Sequence, residues 1–196
     1  MRRVVATFFV VLAFAVVAHA QDGRDLSDEA RTRYAKALKD AVTLVQQRRF
    51  DDARAALDKL IAERPHEPQA RFLLGVVETE SGNDDAAIQT FTELVQQFPE
   101  LPEPHNNLAV LYAKRGNIDG ARVELETALK AAPDWAVAHE NLGDLHVRSA
   151  AEHYERAAKL DNLNKSAAAK LALARNLVAT SSASAAPAAN SASTPK

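Results

Sequence analysis

The sequence has no cysteine, which excludes disulfide frameworks, thiolate zinc sites, cysteine nucleophiles and cysteine-linked lipid. Glycine and proline are scarce, 6 and 8 in 196 residues, and a turn-rich all-β fold is disfavoured for that reason. One Met and one Trp leave no Met-rich adaptable surface. Neither sign of charge dominates. The 24 Lys+Arg stand against 26 Asp+Glu, a formal −2, so the basic footprint of a nucleic-acid binder is missing. No Gly-rich phosphate loop, G-x-S-x-G or H-E-x-x-H occurs. What is present is 47% hydrophobic and 26% charged, the balance of a chain that buries a core.

The one long uncharged apolar run lies at the start. Arg2 and Arg3 precede Val4 to Val17, and Ala18-His19-Ala20 supplies a small-x-small site. This three-part layout predicts a secretory signal peptide over 1–20, cleaved before Gln21. The alternative is an uncleaved anchor, but the run is shorter than the roughly 20 residues that cross a bilayer core. The expectation is therefore export to the periplasm without stable membrane insertion, secretion or signal anchoring being the alternatives. Residues 21–26 read as a loose leader, and Ser27 before Asp28 and Glu29 as a helix N-cap with acids in the first turn.

From there a 34-residue period runs through the chain. Pro65, Pro99 and Pro133 keep it, as do Ala53, Ala87 and Ala121. Leu74, Leu108 and Leu142 form a third column, Gly75, Ala109 and Gly143 a fourth, Leu57, Phe91 and Leu125 a fifth, and Gly82-Asn83 recurs as Gly116-Asn117. Each period reads as two helices with apolar residues at 3.6 spacing, interrupted by Gly-Asn and stopped by Pro. The small columns let helix backbones approach, and the large ones fill the space between pairs.

These residues resemble the tetratricopeptide repeat family over about residues 34–161. Leu74-Gly75, Gly82-Asn83, Ala87, Phe91 and Pro99 carry the likeness, and Asn107-Leu108-Ala109, Tyr112, Gly116-Asn117, Ala121, Ala128-Leu129 and Pro133 repeat it. The departures are Arg71, His105 and His139 in the usual Trp position, and Arg48-Arg49 in place of the first Gly turn. The fourth repeat lacks about five residues, and no Gly or Pro lies between Asp144 and Asn162, so residues 135–160 read as one long helix. The resemblance implies an all-α right-handed solenoid of about three and a half helix pairs over 27–179. Lys165–Ala179 would be an amphipathic C-terminal capping helix. Residues 180–196, with no apolar side chain larger than Ala, read as a flexible tail.

His139, His146 and His153 fall seven apart, about two helical turns per step, too far to chelate one ion between neighbours. No metal, cofactor or catalytic set is expected. The family geometry implies a concave face built from the first helices. That face would carry Leu38, Val42 and Val45, then Gln69, Phe72, Val76 and Thr79, then Glu103, Asn106, Val110 and Lys114, then Glu140, Asp144 and Arg148. Phe72 with Val76, Leu38 and Val42 is expected to form the apolar centre of a groove for a peptide or helix. A carboxylate clamp is not expected, because Leu38, Val42 and Leu73 stand where its polar residues would be. The predicted function is a non-enzymatic adaptor that binds another envelope protein. A structural subunit working through its stack edges is the alternative.

Overall fold

The structure, a computed structural model, describes residues 28–184; the expected signal peptide and leader, and the tail beyond 184, lie outside the described residues. Eight α-helices and no strand occur among the described residues. They are α1 (Asp28–Gln46), α2 (Phe50–Glu63), α3 (Pro68–Glu80), α4 (Asp84–Gln97), α5 (Pro102–Lys114), α6 (Ile118–Ala131), α7 (Ala136–Leu160) and α8 (Lys165–Ser184). They form two compact units, one running to Leu142 and one beginning at Gly143.

In the first unit the helix bounds themselves keep the 34-residue period. Each of α2, α4 and α6 has 14 residues, and each of α3 and α5 has 13. The two first helices α3 and α5 begin at Pro68 and Pro102, where proline's missing N–H would have had no helical partner. The turns within pairs share one closure. Arg48, Gly82 and Gly116 take positive φ, 57°, 83° and 77°. The next residue then donates its N–H five residues back, Arg49 to Leu44, Asn83 to Glu78 and Asn117 to Tyr112, at 2.8–2.9 Å. This is the Schellman closure that satisfies the last carbonyls of a helix. Arg48 makes it without glycine, and its guanidinium lies 5.2 Å from the Phe50 ring centre.

Helices neighbouring in sequence pack in order from α1 to α6, and α1 also meets α3. Ala53, Ala87 and Ala121 are fully buried, as the close-approach column requires. Leu57, Phe91 and Leu125 fill the space beside them, with Leu60, Leu94 and Ala128 one turn on. A Cβ on Gly75 would sit 2.6 Å from the Phe91 ring, so only glycine fits there. The column expected at Leu74, Leu108 and Leu142 is uneven: Leu108 is buried, but Leu74 and Leu142 are half-buried and Leu73 takes the core position.

The second unit holds most of α7 and all of α8. α7 is a single 25-residue helix, unbroken where a fourth turn would have fallen. Beside it α8 places Arg175 against Glu155 at 3.3 Å and the Lys170 ammonium 5.7 Å from the Tyr154 ring centre. Hydrogen bonding from Lys159, then the Lys159 and Arg175 charges, hold the Glu155 carboxyl below its ordinary range. Two expectations for α8 fail. It runs to Ser184 rather than stopping at Ala179, with no Gly or Pro before Pro187 to stop it. It also lacks the polar outer face of a cap. Ala167 and Ala174 are buried and Leu171 and Val178 half-buried, but Leu173 and Leu177 are exposed.

Candidate protein-binding surface

The expected surface draws on the first helix of each pair, and the structure divides its residues into sealed and accessible sets. Phe72 and Val76, expected at the open apolar centre, are core residues, 5% and 4% exposed. The reason is the position of α3, which is enclosed by α1, α2 and α4. Its buried positions, Ala70, Phe72, Leu73, Gly75, Val76, Val77 and Glu78, go nearly round the helix. The Phe72 ring tilts against Phe91 with centroids 5.7 Å apart, closing the gap that Gly75 leaves. Asn106 is sealed as well. Its Oδ1 accepts a hydrogen bond from Asn141 Nδ2 at 2.8 Å, which ties α5 to the start of α7.

The accessible set is Leu38 and Val42, half-buried on α1, Val110, half-buried on α5, and the exposed Lys114 and Glu140. Lys114 is engaged: its ammonium donates to Asp84 Oδ1 at 2.8 Å, and the neighbouring Arg115 pairs with Asp85. These contacts link the end of α5 to the start of α4, so Lys114 serves the junction between two pairs. Asp144 and Arg148, both half-buried, belong to the second compact unit.

Three polar devices were missed in the sequence. Arg71, His105 and His139, the occupants of the Trp column, each reach back six residues to a proline carbonyl. The distances are 3.3 Å to Pro65, 3.3 Å to Pro99 and 2.8 Å to Pro133. The signal was there, since all three side chains carry N–H donors in one register. Next, Glu78 is a buried carboxylate on α3 that accepts from Arg54 on α2 at 2.9 Å and from Thr90 on α4 at 2.7 Å. Finally, Arg64 lies 4.4 Å from the Tyr34 ring centre and donates to the Ala30 carbonyl at 2.7 Å. Burial, followed by the Glu67 charge, pushes the Tyr34 hydroxyl up to about 12.

Among the described residues no group of three His, Asp or Glu side chains is placed to hold a metal ion, and no helix is long and apolar enough to cross a membrane. The His139, His146 and His153 side chains are all exposed on α7.

Residues 38–102 match a family model for the tetratricopeptide repeat, and residues 85–142 match a second. No curated protein matches the chain in sequence. Among solved structures, the chain is similar to the type III secretion chaperone SycD of Yersinia enterocolitica, in complex with a peptide of the translocator YopD. The TM-score is 0.55 at 14% identity, covering 64% of this chain and 99% of that one. It is similar to the first repeat domain of Spaghetti (RPAP3) bound to an HSP90 peptide, with TM-score 0.56 at 13% identity, over 61% and 94% of the two chains. A mutant O-GlcNAc transferase of Thermobaculum terrenum gives TM-score 0.53 at 24% identity, over 60% of this chain and 22% of that one.

Proposed function

The chain belongs to the tetratricopeptide repeat family, and we propose that it is a non-enzymatic adaptor of the cell envelope that binds a segment of another envelope protein on its first-helix face. The observation that carries this reading is the regular stack of helix pairs with apolar side chains left half-open on its first helices, Leu38 and Val42 on α1 and Val110 on α5. Two similar folds hold peptides of other proteins, one of a translocator and one of HSP90. With Phe72 and Val76 committed to the core, the apolar contacts come from Leu38, Val42 and Val110, and Glu140 supplies charge nearby in sequence register. Recognition then needs no reacting group, only a shaped apolar strip and its polar border.

Export is the second part of the reading. It rests on the charged start, apolar run and small-x-small site of residues 1–20. Cleavage before Gln21 would free the chain from the membrane, with the periplasm as its proposed location.

The test is a pull-down from envelope fractions with the native protein, a Val42→Glu/Val110→Glu variant and a Val123→Glu control, together with the intact mass of the native chain. Val123 is 52% exposed on α6, away from the first helices. The expected result is one specific partner, lost in the double variant, retained in the control, and a mass beginning at Gln21. Loss only in the Val123 variant would favour the rival reading, a structural subunit that works through its stack edges.

A further inference from the structure

α8 carries two apolar faces. At 100° per residue, Ala167, Leu171, Ala174 and Val178 share one side, the buried and half-buried one. Leu173 and Leu177 lie one turn apart on another, together with the small residues Ser166 and Ala169, and these leucines are 66% and 55% exposed. Leu163, in the turn before α8, is 82% exposed. Lys165 and Lys170 border the second face on its two sides. Large apolar side chains grouped this way mark an interaction surface rather than scattered exposure.

The repeats of this chain show what such a face accepts. α3 packs against α2 and α4, and α5 against α4 and α6, so a first helix has a helix on each side. α8 follows α7 as a first helix follows a second one. Its second face is a strip about one leucine wide, the form of a ridge that fits between the ridges of another helix. The charge selects which helix. After Asp161 the sequence holds Lys165, Lys170, Arg175 and Lys196 and no acid at all. A second copy of α8 would bring only like charges together. Interfacial helices also use Trp and Phe beside Leu as anchors, and no aromatic side chain follows Tyr154.

We propose that the Leu173/Leu177 face of α8 binds an amphipathic helix of a partner protein whose apolar stripe is bordered by Asp or Glu. This surface is made by α8 residues, none of which belongs to the first-helix set on α1 and α5, so each reading can fail without the other. The test uses the full chain and a labelled synthetic helix of about 18 residues with leucines at i, i+3, i+4 and i+7 and glutamates beside them. A twin peptide carries lysines instead. Anisotropy titration should show the acidic helix binding about tenfold or more tighter than its twin, with the preference weakening as salt rises. Leu173→Glu/Leu177→Glu should abolish binding with unchanged helicity, since both positions are exposed. Lys165→Glu/Lys170→Glu should reverse the preference between the peptides. Equal binding of both peptides, or retention of binding by the leucine double variant, would overturn the proposal. So would self-association of the protein abolished by the leucine variant, which gives the face to a second copy. Capture by phosphatidylglycerol vesicles with no binding of the acidic peptide would overturn it in favour of a membrane.

Discussion

Arg48 holds a backbone conformation that its counterparts at Gly82 and Gly116 leave to glycine. For a residue with a Cβ that conformation costs about 1–2 kcal/mol, and glycine's extra freedom in the unfolded chain takes back about 0.5–1 kcal/mol. Arg48→Gly should therefore stabilise the protein by about 0.5–1 kcal/mol, read as a higher urea midpoint at unchanged slope; a lower midpoint would mean that the contact with Phe50 outweighs the strain. Tyr34 gives a second residue-scale expectation. Its hydroxyl is pushed up to about 12 in the folded chain by burial, against about 10 unfolded. The folded state then binds the extra proton, so this contribution is intact below pH 10 and is lost as pH rises from 10 to 12. The melting temperature should fall across that window, and one of the three tyrosines should ionise last in a native absorbance titration. A Tyr34→Phe variant should lose the late step. Arg48 was legible as a departure from the Gly column, but its conformation was not, because nothing in the sequence says whether a turn is rebuilt or strained.

At the scale of elements, helix existence and spacing were legible because the signals recur at one period: Pro65, Pro99 and Pro133 after the second helices and Ala53, Ala87 and Ala121 at the crossings three times, and Gly-Asn at the turns twice. Exposure on α3 was not legible. Its apolar residues fill more than one stripe, and periodicity cannot tell a wide core helix from a helix with an extra binding face. Phe72 was misplaced for that reason: Gly75 opens a gap that Phe91 and Phe72 fill together. Gly75→Ala should cost about 1 kcal/mol and at most about 2 kcal/mol, since overpacking of about 1–3 kcal/mol is offset by alanine's helix preference of about 1 kcal/mol. The Glu78 carboxylate ties α2, α3 and α4, and Thr90→Val would leave one of its oxygens without a donor. A loss of about 1.5–3 kcal/mol is expected in chemical denaturation, with Thr90→Ser close to the native protein. If valine is tolerated as well as serine, the tie does not hold the three helices.

For the whole molecule, the repeat family and the all-α fold followed from columns such as Ala53, Ala87 and Ala121, which need no partner to be read. The accessible part of the surface did not, because it depends on which helix is enclosed, as with α3, and on which polar side chain is already engaged, as with Asn106 and Lys114. The polar face expected of a capping helix failed at Leu173 and Leu177 for a related reason: a helix period shows how many apolar faces exist, not how many are covered. The central claim is that the first-helix face recognises another protein. Its most direct measurement is site-specific photo-crosslinking in intact cells, with the crosslinker placed in turn at Leu38, Val42, Val110 and, as a control, Val123. The account predicts one shared crosslinked protein from the three first-helix positions and none from Val123. The same adduct from Val123 with none from Leu38, Val42 or Val110 would contradict it.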